Sequence, residues 1–203
     1  MIAIIDYRAG NLRSVQRALT HLGLPCTITS QASDIAAAER VIFPGVGAAG
    51  KAMETIREIG LDRTIHEVIE RGTPFLGICL GTQVIFTASE EDTATCLGVF
   101  PGTVRRFPVM GEKIPHMGWN TLRHVRSHPL LHGVDESAWF YFVHSYYPDP
   151  SEAADVVTLT SYGMEFASAV SRGNVFATQF HPEKSGAPGL RILENFSRWD
   201  GKG

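Results

Sequence analysis

Three short apolar runs, Met1–Ile5, Val41-Ile42-Phe43 and Phe75–Ile78, most narrow what this chain can fold into. None alternates with polar residues, as a strand with one wet face would. A continuous apolar strand is buried on both faces, which is the habit of parallel sheets covered by helices. Between these runs lie helical patterns: Leu12, Val15, Leu19 and Leu22; Met53, Ile56 and Ile59; then Leu61, Ile65, Val68 and Ile69. Their spacing of three and four is that of one helix face. Gly23-Leu24-Pro25 and Gly72 stop two of them. Cys26–Ile28 reads as a further short strand, and Ser33-Asp34 opens a brief helical turn. The alternation predicts an α/β fold with a mostly parallel central sheet and helices on both faces.

The second half is richer in extended segments: 102–107, 120–125, 139–143, 156–161, 168–170 and 175–179. They predict an antiparallel or mixed extension of the same sheet, closed by an amphipathic helix carrying Leu190, Leu193 and Phe196. With no repeat or linker, 203 residues are expected to form a single domain, 1–203. A net charge of −3 offers no basic surface for nucleic acid. No apolar run approaches the ~20 residues of a membrane span. Met1 to Asp6 has no basic n-region and reads as a strand rather than a leader. Three cysteines at irregular spacing argue against a disulfide framework and for a reducing, cytoplasmic setting.

Chemistry enters at Gly77-Ile78-Cys79-Leu80-Gly81. A buried strand ends here and a helical pattern opens at Gly81, with Cys79 at the corner between two glycines. That is the strand–nucleophile–helix elbow, carrying Cys where some hydrolases carry Ser. The glycines allow backbone segments to approach more closely than a Cβ permits. A sulfur at a helix N-terminus is favoured as thiolate, its nucleophilic form. Cys26 and Cys96 lack this setting and read as packing residues.

A cysteine nucleophile needs a base and a group to orient that base. Of eight histidines, His181 fits best. It follows the apolar strand ending at Phe180, where open α/β sheets assemble their sites. Pro182 stiffens the loop, and Glu183 can reach the imidazole. His124, His128 and His132 recur at helical spacing, but Pro129 breaks any helix there, so a solvated loop is expected. His21 and His66 sit in helical patterns and read as surface or boundary residues. The loop Gly45-Val46-Gly47-Ala48-Ala49-Gly50 matches a dinucleotide-binding fingerprint. It follows the third strand rather than the first, however, and Glu67, ~20 residues on, falls in a helix rather than at a strand end. A flexible loop offering N–H groups to a developing oxyanion is the better reading, with the Leu80 amide as second donor.

Gly77-Ile78-Cys79-Leu80-Gly81-Thr82-Gln83 with His181-Pro182-Glu183 resembles the class I (triad) glutamine amidotransferases, a flavodoxin-like fold. Asp6-Tyr7, Gly10–Val15, Phe43–Gly47, Pro115–Asn120 and Phe142–Tyr146 narrow the likeness to glutaminase subunits of imidazole glycerol phosphate synthases. The resemblance spans almost the whole chain. It implies that Cys79 attacks the carboxamide of L-glutamine, His181 relays the proton and Glu183 orients His181. Val46, Gly47 and Leu80 would form the oxyanion hole, the loop only after a peptide flip. Gly47, Gln83, Glu91, Ser145 and Tyr146 would bind glutamine. No metal or cofactor is implied. The partner implied is a (β/α)8-barrel cyclase that receives ammonia through its interior, faced by Asn11, His116, Met117 and Trp119.

The residues themselves favour a partner, because a Met and Trp segment between Pro and Gly suits an interface core, or else a buried turn. Arg8-Ala9 and Thr82 depart from the family's commoner residues. A sibling amidotransferase, or a non-catalytic binding module on the same fold, are the alternatives. The intact Cys79, His181 and Glu183 set speaks against the second.

Overall fold

A computed structural model describes residues 1–8, 10–109 and 111–202 of the chain. Its spine is an eight-stranded sheet in the order β2-β1-β3-β4-β14-β13-β12-β9. The strands β1 (Ile2–Ile5), β2 (Cys26–Thr29), β3 (Arg40–Gly45) and β4 (Phe75–Cys79) are parallel, and β14 (Val175–Thr178) joins β4 in the same direction. Beyond β14 the sheet continues antiparallel through β13 (Met164–Arg172), β12 (Val156–Tyr162) and β9 (Arg123–His124).

Apolar runs without alternation produce two cores, because successive side chains point to opposite faces. Ile2, Ile4, Ile42, Leu76, Ile78 and Phe176 face one side, under α1 (Leu12–His21) and α6 (Gly186–Arg198). Ala3, Ile5, Val41, Phe43, Phe75 and Ala177 face the other, under α2 (Ala32–Ala37), α3 (Ala49–Glu58) and α4 (Leu61–Glu70). Each helix turns in the residues its spacing marks: Leu12, Val15 and Leu19 in α1, and Leu61, Ile65 and Val68 in α4.

The second half departs from the expected single sheet. Only part of it extends the spine. β5 (Phe86–Ser89), β6 (Ala94–Thr95), β7 (Phe100–Arg106) and β11 (Tyr146–Pro150) form a separate four-stranded sheet, ordered β11-β7-β5-β6. β8 (His116–Thr121) and β10 (Trp139–His144) pair as a two-stranded antiparallel ribbon. β11 escapes a sequence reading because it contains Pro148 and Pro150, and it tolerates them by lying at its sheet's edge. The helix after the elbow, α5, is a single turn, Leu80–Gln83, shorter than the pattern suggests.

Candidate active site

Three neighbouring strands of the spine end together. Gly45 at the end of β3 stands opposite Cys79, and Ile78 stands opposite Thr178 near the end of β14. The oxyanion-loop candidate, the thiol and the His181 loop therefore emerge side by side from the carboxyl edge of the sheet.

Cys79 occupies φ 55° and ψ −107°, a region a side-chain-bearing residue rarely adopts. Such a corner costs on the order of 1–3 kcal/mol and persists only where its surroundings enforce it. Gly81 is part of that enforcement: a Cβ there would lie 1.8 Å from the Phe43 carbonyl oxygen. The turn thus presses directly on β3. At Gly77 the fit is tight but less absolute, with the Ala177 Cβ at 3.0 Å.

His181 is wholly buried. Its amide donates to the Tyr141 carbonyl at 2.9 Å, and its own carbonyl accepts from Ser185 Oγ at 2.6 Å. Nδ1 donates to Glu183 Oε1 at 2.8 Å, and both side chains are fully removed from solvent. Asn11 Nδ2 donates to the same Oε1 at 2.6 Å. Nε2 has no partner of ordinary hydrogen-bond geometry, and the group acting on it is the Cys79 sulfur. Burial opposes a charge on this imidazole, but the Cys79 thiolate and Glu183 outweigh it and push His181 up to about 10. At neutral pH the His181 ring therefore carries a proton, held by the Cys79 sulfur on one side and Glu183 on the other.

Val46, Gly47, Cys79, Leu80, Gln83, Glu91, Ser145, Tyr146 and His181 all line one cavity of about 310 Å³, which also touches His144 and Pro115. Glu183 lies behind His181, outside that lining. Glu91 Oε2 accepts from the Ala49 amide at 2.7 Å, tying the cavity wall to the start of α3. Burial pushes the Glu91 carboxyl up, while the Ala49 amide draws it down.

The sequence profile of the family described as Glutamine amidotransferase class-I matches residues 3–198. The chain belongs to the class-I glutamine amidotransferase family. The amidotransferase is 51% identical to the Imidazole glycerol phosphate synthase subunit HisH of Desulfovibrio desulfuricans, across 97% of this chain and 93% of that one. It is 52% identical to the Imidazole glycerol phosphate synthase subunit HisH of Moorella thermoacetica, across 96% and 93%. A solved structure titled "Crystal structure of glutamine amidotransferase" superposes with a TM-score of 0.76 at 21% identity, covering 97% of this chain and all of its own, a likeness of fold.

One neighbour of the thiol escapes a sequence reading of the amidotransferase. Gln179 is buried, and its Nε2 donates to Cys79 Sγ at 3.8 Å. Gln83, expected at the glutamine, spends its own Nε2 on Gln179 Oε1 and the Tyr146 carbonyl, each at 3.0 Å. Gln83 thereby holds the group that holds the sulfur. Its place between Thr178 and Phe180 at the end of a strand, outside any motif, hides Gln179. Thr82, one of the departures, donates its buried hydroxyl to the Thr178 carbonyl at 2.6 Å, locking α5 to β14. Of the other, Arg8-Ala9, Arg8 is exposed and Ala9 lies outside the described residues.

Two histidines, His116 and His128, are not where the sequence reading puts them. His116 is 2% exposed and so cannot face a partner directly. It stacks between Tyr162 and Phe142, at ring-centroid distances of 4.0 and 4.8 Å. His144 Nδ1 faces the Tyr146 carbonyl at 2.7 Å and must be the donor, because a carbonyl only accepts. His144 Nε2 then accepts from His116 Nδ1 at 3.0 Å, and His116 Nε2 accepts from Asn120 at 3.4 Å. The chain of donors closes only when both rings are neutral, and burial holds His116 down at about 4 and His144 at about 3.

His128, expected in a solvated loop, is buried, accepts from the Leu130 amide at 3.2 Å and packs on Phe176 and Trp199. The proline that rules out a helix starts a tight turn at Pro129–Leu131, and His128 caps it. Asn11 also points inward, to Glu183. Met117 and Trp119 stand exposed on β8, at 62% and 52%, and Trp119 meets Tyr141 edge to face at 5.9 Å. Cys96 is buried and its thiol is pushed up to about 11, which suits an inert packing residue.

Proposed function

We propose that this chain is the glutaminase subunit of an imidazole glycerol phosphate synthase in histidine biosynthesis. It hydrolyses L-glutamine to glutamate and passes the ammonia to a (β/α)8-barrel cyclase subunit that forms imidazole glycerol phosphate and AICAR. The observation carrying the chemistry is a buried imidazole held between the Cys79 sulfur and the Glu183 carboxylate, against a cavity of substrate size. The relatives named Imidazole glycerol phosphate synthase subunit HisH, about half identical over nearly full length, support the choice of synthase.

The thiolate of Cys79 adds to the carboxamide carbon of glutamine. The oxyanion forms against the Leu80 amide, joined by the Val46 amide once it turns inward; each such donor is worth roughly 3–4 kcal/mol. The imidazolium of His181 gives its Nε2 proton to the leaving nitrogen, the C–N bond breaks and ammonia departs. His181, now neutral, takes a proton from water as hydroxide attacks the thioester. The C–S bond then breaks, glutamate leaves, and thiolate and imidazolium are restored. Glu183 keeps Nδ1 protonated and the ring aimed throughout. Glu91, with one oxygen uncommitted to Ala49, suits the substrate ammonium, and the Ser145–Tyr146 backbone suits its carboxylate end.

Ammonia is volatile and mostly protonated at neutral pH, so a sealed interface protects it. The exposed Met117 and Trp119 are the apolar groups placed for one. We assign the chain to the cytoplasm, as one amidotransferase domain. The test is synthesis by the reconstituted complex. Cys79→Ala abolishes the glutamine-dependent reaction while added ammonium salt still supports it. Loss of both activities would overturn the assignment.

A further inference from the structure

We propose that Gln179 is a further catalytic residue: its side-chain amide is a fixed hydrogen-bond donor to the Cys79 sulfur, turned that way by Gln83, and it carries part of the charge that sulfur bears. The inference rests on the glutaminase reading and adds to it a residue outside the triad.

The orientation of the Gln179 amide is decided three contacts away from the sulfur. The Tyr146 carbonyl accepts from His144 Nδ1 at 2.7 Å and from Gln83 Nε2 at 3.0 Å. A carbonyl oxygen only accepts, so Gln83 must turn its nitrogen toward Tyr146 and not its oxygen. That nitrogen has a second hydrogen, and Gln179 Oε1 lies 3.0 Å from it. Gln179 therefore spends its oxygen on Gln83, which leaves Nε2 to face Cys79 Sγ at 3.8 Å. Reversing the amide would set nitrogen against nitrogen at one end and oxygen against sulfur at the other.

The backbone holds this donor in place. Gln179 is fully buried, and its own N–H donates to the Ser168 carbonyl at 2.9 Å. The carbonyl before it, on Thr178, takes the Thr82 hydroxyl at 2.6 Å. On the other side of the contact, the Cys79 corner is pressed between Gly81 and the Phe43 carbonyl. A donor aimed in advance needs no reorganisation when charge develops beside it. Sulfur bears charge twice in the cycle: before it attacks, and again when the C–S bond of the thioester breaks and the electron pair returns to it. His181 gives its proton away and takes it back between those moments. The Gln179 amide does not titrate and stays a donor throughout.

Gln179→Met tests this, since it keeps an unbranched side chain of similar length and removes the donor. The measurement is the rate of Cys79 alkylation by iodoacetamide against pH, with brief exposure at each pH. Peptide mass spectrometry separates Cys79 from the other free thiols, Cys26 and Cys96. The midpoint of that profile is expected to rise by about one to two units, the ten- to hundredfold change in ionisation that one hydrogen bond to a charged group is worth. The acid limb of the glutaminase pH profile moves up with it. A purely structural defect would lower rates without moving either midpoint. Gln83→Met leaves Gln179 in place but frees its amide to turn, and so moves the alkylation midpoint the same way by less. In protein labelled with 15N at its glutamine side chains, the Gln179 amide resonance shifts when Cys79 is replaced by alanine. Midpoints within about 0.5 unit of the parent in both variants, or a Gln179 resonance indifferent to Cys79→Ala, overturn the proposal. Glutamine turnover that survives Cys79→Ala sinks the glutaminase reading itself, whereas Cys79-dependent turnover with an unmoved midpoint sinks this inference alone.

Discussion

Acid should unfold this protein early, and the buried histidines set the amount. His116, His128 and His144 are at most 5% exposed and remain neutral in the fold, at about 4, about 4 and about 3. In the unfolded chain each returns to the ordinary value of 6.5. Their folded pKa values are depressed, so the stability they carry is present above 6.5 and is lost as pH falls from there toward 4. At pH 5 the unfolded state has bound about one proton at each position and the native state almost none, a loss of roughly 2 kcal/mol per histidine. Together this is on the order of 5–6 kcal/mol, comparable to the whole stability of an ordinary domain. His181 works in the opposite direction. Raised to about 10, its contribution is complete below 6.5 and disappears as pH climbs through 10, so it offsets little here. Urea unfolding at pH 7 and pH 5 measures the effect. His128→Asn keeps an oxygen to cap the Leu130 amide and cannot titrate, so the slope of stability against pH should drop by about one proton. Two results would refute the reasoning: stabilities at the two pH values within about 1 kcal/mol, or a slope unaffected by His128→Asn.

Three further outcomes follow from the site. Gly81→Ala drives a methyl into the Phe43 carbonyl and should lose more than about 3 kcal/mol in urea unfolding, whereas Gly77→Ala, with the Ala177 Cβ at 3.0 Å, should lose about 1–2. Glu183→Gln removes the charge behind His181, which should bring the imidazolium down by about 1–3 units. The alkaline limb of the glutaminase pH profile then moves to lower pH, with kcat reduced at least about tenfold. Asn11→Ala leaves Glu183 Oε1 with the imidazole alone and Oε2 still without a partner. Steady-state kinetics should show kcat down about tenfold with KM for glutamine unchanged, the mark of a group that orients the triad without touching substrate.

Much of this architecture is legible from local pattern. Apolar runs without alternation place β1, β3 and β4 in a doubly covered sheet, and the two glycines around Cys79 announce the corner. His181-Pro182-Glu183 is readable because imidazole and carboxylate stand two residues apart on one loop. What hides is whatever depends on pairings across the fold. Gln179 looks like one more residue of a buried strand until β14 is laid against β4. His116 sits in a segment that reads as surface, yet the β8–β10 ribbon turns it inward while Met117 and Trp119 turn out. Asn11 has an ordinary place at the head of α1; nothing nearby in sequence says that its amide reaches Glu183, 172 positions away. Pro148 and Pro150 mask β11 because edge position is a property of the sheet, not of the segment.

The adjacency of β4 and β14 has a consequence for the protein's birth on the ribosome. Cys79 and Gln179 touch although 100 residues separate them, and His181 is later still. A growing chain can complete β1 to β4 and α1 to α4 long before His181 has been synthesised. Until the last strand inserts beside the thiol's own, that cysteine has no imidazole next to it, and on the proposed mechanism the nascent polypeptide cannot consume glutamine. Catalytic competence therefore arrives late and all at once, coupled to the closing of the central sheet.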